Sequence, residues 1–169
     1  MSKSQLKKEL AKLDRDQLSQ LILDAYSARK EIKAFFDFFA EPDVQALYNK
    51  YSVTIHRELS RGKHRYSTAR MSRIRAAIKE FSSYGVEPEI VIDLAVFAIR
   101  TALIVKKIKY TKPPFDKGIV TIANDILKLG DKEGIFSTAH NKLNQALDGS
   151  EGSRWTVNNI RQNIGFSPL

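Results

Sequence analysis

Apolar residues recur with the helical period along almost the whole chain, and this pattern constrains the fold more than any other feature. Leu6, Leu10 and Leu13, for example, follow one another at intervals of four and three residues, which places them on one face of a helix. No stretch of the sequence alternates apolar and polar residues long enough to favour a β-strand. The sequence therefore predicts an all-α protein, an irregular bundle of seven to eight helices. A short paired-helix solenoid is the alternative.

Turn-forming and polar residues divide the pattern into separate helices. Asp14 and Gln17 form a capping-box sequence ahead of a second helix, which either runs unbroken to Phe39 or bends near Ser27. The stretch from about 88 to 109 begins with Pro88 at a first-turn position and is apolar nearly all round, which is typical of a buried helix. This helix is expected to lie at the centre of the bundle.

Other helix ends depend on weaker signals. A fourth helix is predicted to begin at Ser67 or Thr68, and a sixth helix is predicted to stop at Gly130. The core face of the fourth helix is predicted to carry four apolar residues. These are Met71, Ile74, Ile78 and Phe81.

The length of 169 residues favours one domain with its own hydrophobic core, so a single all-α domain is predicted over 1–169. Gly and Ser residues near 149–153 indicate a flexible linker, and Ser153 is expected to cap a C-terminal helix over 153–164. Trp155 is expected to hold this last helix against the rest of the protein.

Several protein classes are excluded by composition. The chain has no cysteine, which rules out a disulfide framework, a thiolate metal site and a cysteine nucleophile. The basic N-terminus is followed by no uninterrupted apolar run of the kind that a secretory signal requires. The most apolar stretch, Ile90 to Val105, contains Asp93 and Arg100 and is shorter than a membrane span. We therefore expect a cytoplasmic protein with no membrane association.

Four short motifs along the chain resemble those of an uncharacterised family of small all-helical bacterial proteins, a domain of unknown function. The first is a pattern of two successive α-helices over 6–26, and the second is a K-x-(F/Y)-x-D-F pattern over 33–38. The third is Arg-(F/Y)-Ser at 65–67, and the fourth is P-x-x-(I/V)-x-D-L at 88–94. The resemblance extends to about Leu129 and implies an all-α domain.

The chain departs from this family after the predicted buried helix. Where the family has an acidic Gly-Asp loop, this sequence has the basic segment 106–112. The family has no assigned activity, so the resemblance implies no catalytic residues.

The net charge of +9 is concentrated in the middle of the chain. Residues 57–79 contain eight basic residues and one acidic residue, and we take the eight as a candidate anion-binding set. They are Arg57, Arg61, Lys63, Arg65, Arg70, Arg73, Arg75 and Lys79. A second basic patch follows the predicted buried helix. It consists of Lys106, Lys107, Lys109 and Lys112.

Arginine favours phosphate because its planar guanidinium donates two parallel hydrogen bonds. His56, His64 and Tyr66 lie among these arginines, and aromatic groups beside cations suit single-stranded nucleic acid. The segment ahead of the fourth helix also leads into a helix N-terminus, which can attract an anion. The sequence therefore predicts a non-catalytic helical binding module whose basic surface binds an anionic partner, with nucleic acid first.

Two other interpretations of the basic residues stay open. They could form a solvated face, or one paired internally with acidic residues of 80–99 such as Glu80, Glu87, Glu89 or Asp93. They could instead bind an acidic protein partner. No zinc-finger, homeodomain or RNA-recognition signature supports the nucleic-acid interpretation.

The sequence gives no support for catalysis, a cofactor or a metal site. His56, His64 and His140 do not form a metal-ligating pair one helical turn apart. Asp37 and Asp93 lie on apolar helices, and pairing with a basic residue is the more economical explanation of each. We therefore expect a protein that is not an enzyme and that uses no cofactor.

A helical protein–protein interaction scaffold is the alternative function. Four phenylalanines within 35–39 cannot all face one core, and Phe38 is expected to point elsewhere. Such a scaffold would contact its partner through Phe38, Tyr48 or Trp155. The partner could also be a second copy of the chain, bound through exposed aromatic residues.

Overall fold

The computed structural model describes residues 1–148 and 154–163, and over these residues the protein is all-α. Nine helices are present in these described ranges, and the only β-type pairing there is an isolated parallel bridge between Tyr66 and Tyr110. The predicted fold class is confirmed, while the predicted count of seven to eight helices is slightly low. The described chain forms two compact units, Met1–Asp43 and Val44–Leu169.

The first unit contains three helices. They are α1 (Lys3–Leu10), α2 (Arg15–Ala28) and α3 (Lys30–Ala40). The predicted capping box is confirmed, because Asp14 accepts from the Gln17 backbone and the Gln17 side chain accepts from the Asp14 backbone. The second helix does not run to Phe39. It ends at Ala28, close to the bend near Ser27 that was the alternative, and Arg29, whose φ of −148° and ψ of 137° are extended, separates it from α3. This break supplies the additional helix.

The second unit contains six helices in its described part. They are α4 (Val44–Leu59), α5 (Met71–Ser83), α6 (Pro88–Ile108), α7 (Pro113–Lys132), α8 (Phe136–Leu147) and α9 (Arg154–Asn163). Helix α6 is the centre of this unit, packed by α4, α5, α7 and α8. It has buried residues on most of its faces, as its nearly continuous apolar sequence predicts. Leu94, Ala98 and Ile99 are fully buried.

Helix α5, which the sequence predicted as the fourth helix, begins later than predicted and buries a different residue. It starts at Met71 instead of Ser67 or Thr68, because the preceding segment is held as a loop by backbone hydrogen bonds. Its core face consists of Met71, Ile74, Ala77 and Phe81. Ala77 takes the place predicted for Ile78, which is half-buried.

Gly130 does not end α7, which the sequence predicted as the sixth helix. Helix α7 continues through it to Lys132, and the turn follows at Gly134, whose φ is +72°. A Cβ added at Gly130 would lie 2.6 Å from the Cβ of Ala139 on α8. Gly130 therefore allows α7 and α8 to approach closely, which periodicity along one helix cannot reveal.

The predictions for the C-terminal region lie mostly outside the described residues. The linker near 149–153, the Ser153 cap and the end of the last helix at 164 are not among them, and neither is the side chain of Trp155. Thr156 of α9 is described and buried, and its hydroxyl donates to Asp116 of α7 at 3.1 Å. The single domain predicted over 1–169 stays a prediction. None of the described helices is long and apolar enough to cross a membrane.

Candidate anion-binding surface

Two basic segments that are far apart in the sequence pair with each other in the second unit. The loop between α4 and α5 meets the loop between α6 and α7, because Ser67 N–H donates to Tyr110 C=O at 3.0 Å and Tyr110 N–H donates to Arg65 C=O at 2.6 Å. Lys109 Nζ adds a bond of 3.0 Å to the backbone carbonyl of Ser60. The basic α4–α5 loop and the basic segment after α6, which the sequence predicted as parts of separate patches, therefore adjoin each other.

The α4–α5 loop has a backbone that only certain residues can adopt. Gly62 has φ +111°, and a Cβ there would lie 2.1 Å from the carbonyl oxygen of Tyr66. His64 also has a positive φ of 50°, and Thr68 N–H closes the loop by donating to Arg61 C=O at 3.2 Å. These constraints fix the loop in a compact form that presents Tyr66.

Two tyrosines stand exposed where the loops pair. Tyr66 and Tyr110 keep 66% and 61% of their surfaces exposed, and their rings meet edge to face with centroids 5.7 Å apart. Arg65, Lys107 and Lys109 lie beside them along a shallow depression. Large aromatic rings exposed among cations offer stacking faces to an anionic ligand that carries flat groups.

A cleft of about 690 Å³ opens next to these tyrosines, between the α4–α5 loop and the first turns of α5 and α7. Its four cationic side chains are Arg70, Arg75, Lys112 and Lys117. Five hydroxyl side chains also line it. They are Ser67, Thr68, Ser72, Thr111 and Thr121. None of the described residues that line this cleft is acidic, so the arrangement favours an anion with several oxygen acceptors.

Glu58 of α4 takes up part of the predicted cationic set. Its carboxylate accepts from the backbone N–H of Arg70 at 2.9 Å, and it pairs with Arg61 at 3.1 Å and Arg73 at 3.6 Å. Its side chain is only 12% exposed. Burial raises the pKa of Glu58, but the Arg70 N–H and the two guanidinium groups outweigh burial, so the pKa is lowered overall. The N-terminus of α5, predicted as an anion site, is therefore already occupied by a carboxylate from α4.

Arg75 and Lys106 also have internal partners. The guanidinium of Arg75 binds Asp125 of α7 in a two-pronged pair, with Nε–Oδ2 at 2.5 Å and Nη2–Oδ1 at 2.9 Å. This hydrogen bonding raises the pKa of Arg75. Lys106 pairs with Asp116. The sequence suggested acidic partners within residues 80–99. The observed partners, Glu58, Asp125 and Asp116, all lie outside that range.

The remaining predicted residues lie on the surface of the second unit. Lys63, Arg65 and Arg70 are exposed on the α4–α5 loop, and Lys112 is exposed ahead of α7. Arg57 lies with Arg61 and Arg73 around Glu58, and Lys79 lines a separate cleft between α5 and α7. Among the described residues, Lys63, Arg65 and Lys112 form no ion pair with an acidic side chain.

Tyr110 and Lys117 also lie on this surface, although neither belongs to the two basic sets predicted from the sequence. Tyr110 lies in a short basic loop, as Tyr66 does, and that shared pattern is the signal that could have found it. The contact between the loops has no signature in the sequence, because it depends on backbone hydrogen bonds between residues more than forty positions apart.

The residues considered for catalysis have structural partners. Asp37 accepts from the Tyr26 hydroxyl at 2.8 Å, and Asp93 pairs with Lys142 at 2.7 Å. Burial lowers the pKa of Lys142, but its hydrogen bonds to Asp93 and Glu89 raise it by more. His140 lies 3.2 Å from the Asn144 amide nitrogen on the same helix. In the part of the chain that the structure describes, no three His, Asp or Glu side chains are grouped so as to hold a metal ion.

The aromatic residues of the alternative function are placed differently from the prediction. Phe38 is half-buried, whereas Phe39 is 74% exposed. Tyr48 is half-buried, with its ring 6.2 Å from that of Phe81. Phe39 is therefore the most exposed aromatic ring of the first unit, and Phe35 is exposed to a smaller extent, 38%.

Comparison with known proteins identifies a family without assigning a function. A family model described as "Family of unknown function (DUF6155)" matches residues 1–164, so the chain belongs to this family. The predicted membership of an uncharacterised helical family is confirmed. No curated protein matches the chain, and no solved structure does.

Proposed function

We propose that this member of the DUF6155 family is a non-catalytic binding module for single-stranded nucleic acid, acting in the cytoplasm. The observation that carries the proposal is the pairing of the α4–α5 loop with residue Tyr110, which joins two basic segments and exposes two tyrosines between them. Phosphates would bind the cations, and bases would stack on Tyr66 and Tyr110.

Charge in the 690 Å³ cleft supports a phosphate ligand. Arg70, Lys112 and Lys117 line it, and among the described residues these three side chains pair with no carboxylate. Arg75 adds its charge, although Asp125 neutralises much of it. A strand that follows the cleft toward the tyrosines would meet positive charge along its whole path.

Exposed tyrosines favour a single strand over a duplex. In a duplex the base faces are stacked on one another, and a protein reaches only the phosphates and the groove edges. A single strand can place an unstacked base on Tyr66 or Tyr110, which is worth about 1–3 kcal/mol per base. The proposed preference is therefore for single-stranded DNA or RNA.

The test is fluorescence anisotropy of labelled single- and double-stranded oligonucleotides over a series of salt concentrations. We expect tighter binding of the single strand, and a log–log salt slope of about −0.7 for each phosphate contact. The variant Lys112→Gln/Lys117→Gln should weaken binding and reduce the magnitude of the slope by about 0.7–1.4, which corresponds to the loss of one to two phosphate contacts. Tyr66→Ala should weaken binding about fivefold or more while leaving the slope unchanged.

The matched control is Lys7→Gln/Lys8→Gln, which removes the same charge from exposed positions of the first unit. It should bind as the unaltered protein does. Equal weakening in the two double variants would mean that binding depends only on the net charge of the protein, which would contradict the proposed site. Binding that vanishes at physiological salt would do the same.

A protein-interaction scaffold is the second candidate, because the first unit leaves large apolar side chains exposed. Leu23 and Phe39 are 58% and 74% exposed, and no residue of Met1–Asp43 is buried. Self-association through this unit is the simplest form. Sedimentation over a range of concentrations should then show a dimer that Leu23→Ser/Phe39→Ser dissociates. A monomer at every concentration would count against it.

A further inference from the structure

A second, smaller cleft lies where α5, α6 and α7 meet, and its floor is apolar. It has a volume of about 290 Å³. The floor consists of buried side chains from α6 and α7. They are Val91, Ile92, Ala95, Ile122 and Ile126. Ile78 and Leu129, both half-buried, form its walls.

The rim of this cleft is cationic. It carries Arg75, Lys79, Lys128 and Lys132. Asp125 is the one acidic residue among the described lining residues, and its carboxylate is bound by Arg75. Lys132 pairs with Glu133 at 2.5 Å. Lys79 and Lys128 are exposed and, within the described residues, pair with no carboxylate.

We propose that this cleft binds a small, free, single-chain amphiphile with an anionic head, of the class of medium-chain carboxylates. The apolar floor removes the tail from water, and Lys79 and Lys128 hold the head at the rim. A pocket with an apolar lining and a few placed polar groups is the usual form of a small-molecule site. The volume of about 290 Å³ is close to the lower limit of about 300 Å³ for such sites.

Size and charge argue against other occupants. A helix with its side chains is about 10–12 Å across, so a single turn of it, about 5.4 Å long, occupies roughly 420–610 Å³. That is more than the volume of this cleft, about 290 Å³. A cationic amphiphile would meet like charge at the rim. The inference does not rest on nucleic-acid binding, although Arg75 lines both clefts.

The experiment is a calorimetric titration of the whole chain with sodium decanoate, kept below the concentration at which decanoate forms micelles. We expect saturable binding of one decanoate per chain. Decyltrimethylammonium, which has the same tail and the opposite charge, should not bind.

Three variants locate the site. Ile78→Trp fills the cleft from its wall and should abolish decanoate binding. Lys79→Gln/Lys128→Gln should weaken decanoate binding about two- to tenfold, as expected for two exposed ion pairs. The same double variant, Lys79→Gln/Lys128→Gln, should bind uncharged decanol with the same affinity as the unaltered protein does. The matched control Lys112→Gln/Lys117→Gln removes the same charge from the other cleft and should bind decanoate normally.

Folding of each variant is checked by its thermal melting curve, and Leu129→Trp replaces Ile78→Trp if that variant does not fold. The proposal is overturned if decanoate fails to saturate, if it binds only near its micelle-forming concentration, or if the cleft-filling variant binds as before. It is also overturned if decanoate does not bind and Ile78→Trp instead changes the oligomeric state. That result would make the cleft a contact between two copies of the chain.

Discussion

The unit formed by Met1–Asp43 and the unit formed by Val44–Leu169 both contain amphipathic helices, but they differ in how many side chains they bury. All the buried residues in the described part of the chain belong to the second unit. The charges differ as well. Eight basic and eight acidic residues balance in the first unit, so the second carries the whole net charge of +9.

This difference shows that an amphipathic pattern specifies a helix but does not by itself specify a core. Helix α6 is surrounded by four other helices, whereas a unit of three helices and 43 residues has too little chain to enclose an interior. The apolar side chains of α2 and α3 are half-buried or exposed, and none is buried, for this geometric reason. The second unit is therefore expected to hold most of the free energy of unfolding.

The largest predicted effect tests this contrast directly. Leu103→Ala, at a position 2% exposed in α6, should lower the free energy of unfolding by about 2–5 kcal/mol, because it leaves a cavity in a packed core. Leu21→Ala makes the same change at a position 45% exposed in α2 and should cost about 0.5 kcal/mol or less. Urea unfolding followed by circular dichroism measures both. Equal losses would mean that the first unit is packed as firmly as the second.

The same contrast shows what the sequence can predict. Helix existence, the buried character of 88–109 and the Asp14 capping box could all be predicted, because each depends on residues close together in the chain. The break at Arg29 matches one of two alternatives, a bend near Ser27, between which the sequence could not decide. The continuation of α7 through Gly130 could not be predicted. Gly130 looks like a helix stop in isolation, and only the approach of Ala139 from α8 explains it.

The candidate surface was predictable in composition and not in arrangement. The basic residues were found from charge alone, but their partners Glu58 and Asp125 lie outside the acidic stretch that the sequence suggested. The pairing of Tyr110 with the α4–α5 loop also depends on tertiary structure. Charge counts locate cations along a chain, but only the fold shows which of them are neutralised by a neighbour.

A second prediction concerns close packing within the larger unit. A Cβ at Gly118 of α7 would lie 2.2 Å from the Cβ of Met71, so Gly118→Ala must push α5 and α7 apart. We expect a loss of about 1–3 kcal/mol in the free energy of unfolding, despite the better helix propensity of alanine. The control Asn124→Ala, at a half-buried position of α7, should not lose stability on this scale. A Gly118→Ala protein as stable as the unaltered one would contradict the close approach.

A third prediction is an acid dependence of stability that arises from Glu58 in the larger unit. The folded-state pKa of Glu58 lies below its ordinary value of 4.5, so the unfolded chain binds the proton more readily. The stabilisation is therefore complete above pH 4.5 and is lost as the pH falls through the lower folded-state pKa. We expect a contribution of about 1–2 kcal/mol from its charged hydrogen bonds.

Urea unfolding at pH 7 and at successively lower pH measures this contribution. Glu58→Gln should be less stable than the unaltered protein at pH 7, and the two should converge in acid. The control Glu9→Gln removes a carboxylate from an exposed pair with Lys12 and should change the free energy of unfolding by less than about 1 kcal/mol. Parallel curves for Glu58→Gln and the unaltered protein would mean that Glu58 does not stabilise the junction of α4 and α5.

The smallest predicted effect is confined to the first unit. Asp14 accepts a hydrogen bond of 2.8 Å from the Gln17 N–H, and Asp14→Ala removes it at a cost of about 1 kcal/mol. Both partners belong to the first unit, so amide hydrogen exchange should quicken in α2 and stay unchanged in α6. Asp14→Asn should preserve the cap, because asparagine caps helices as well as aspartate does. Faster exchange in α6 as well would show that the two units open together, and the contrast in burial would then not be a contrast in stability.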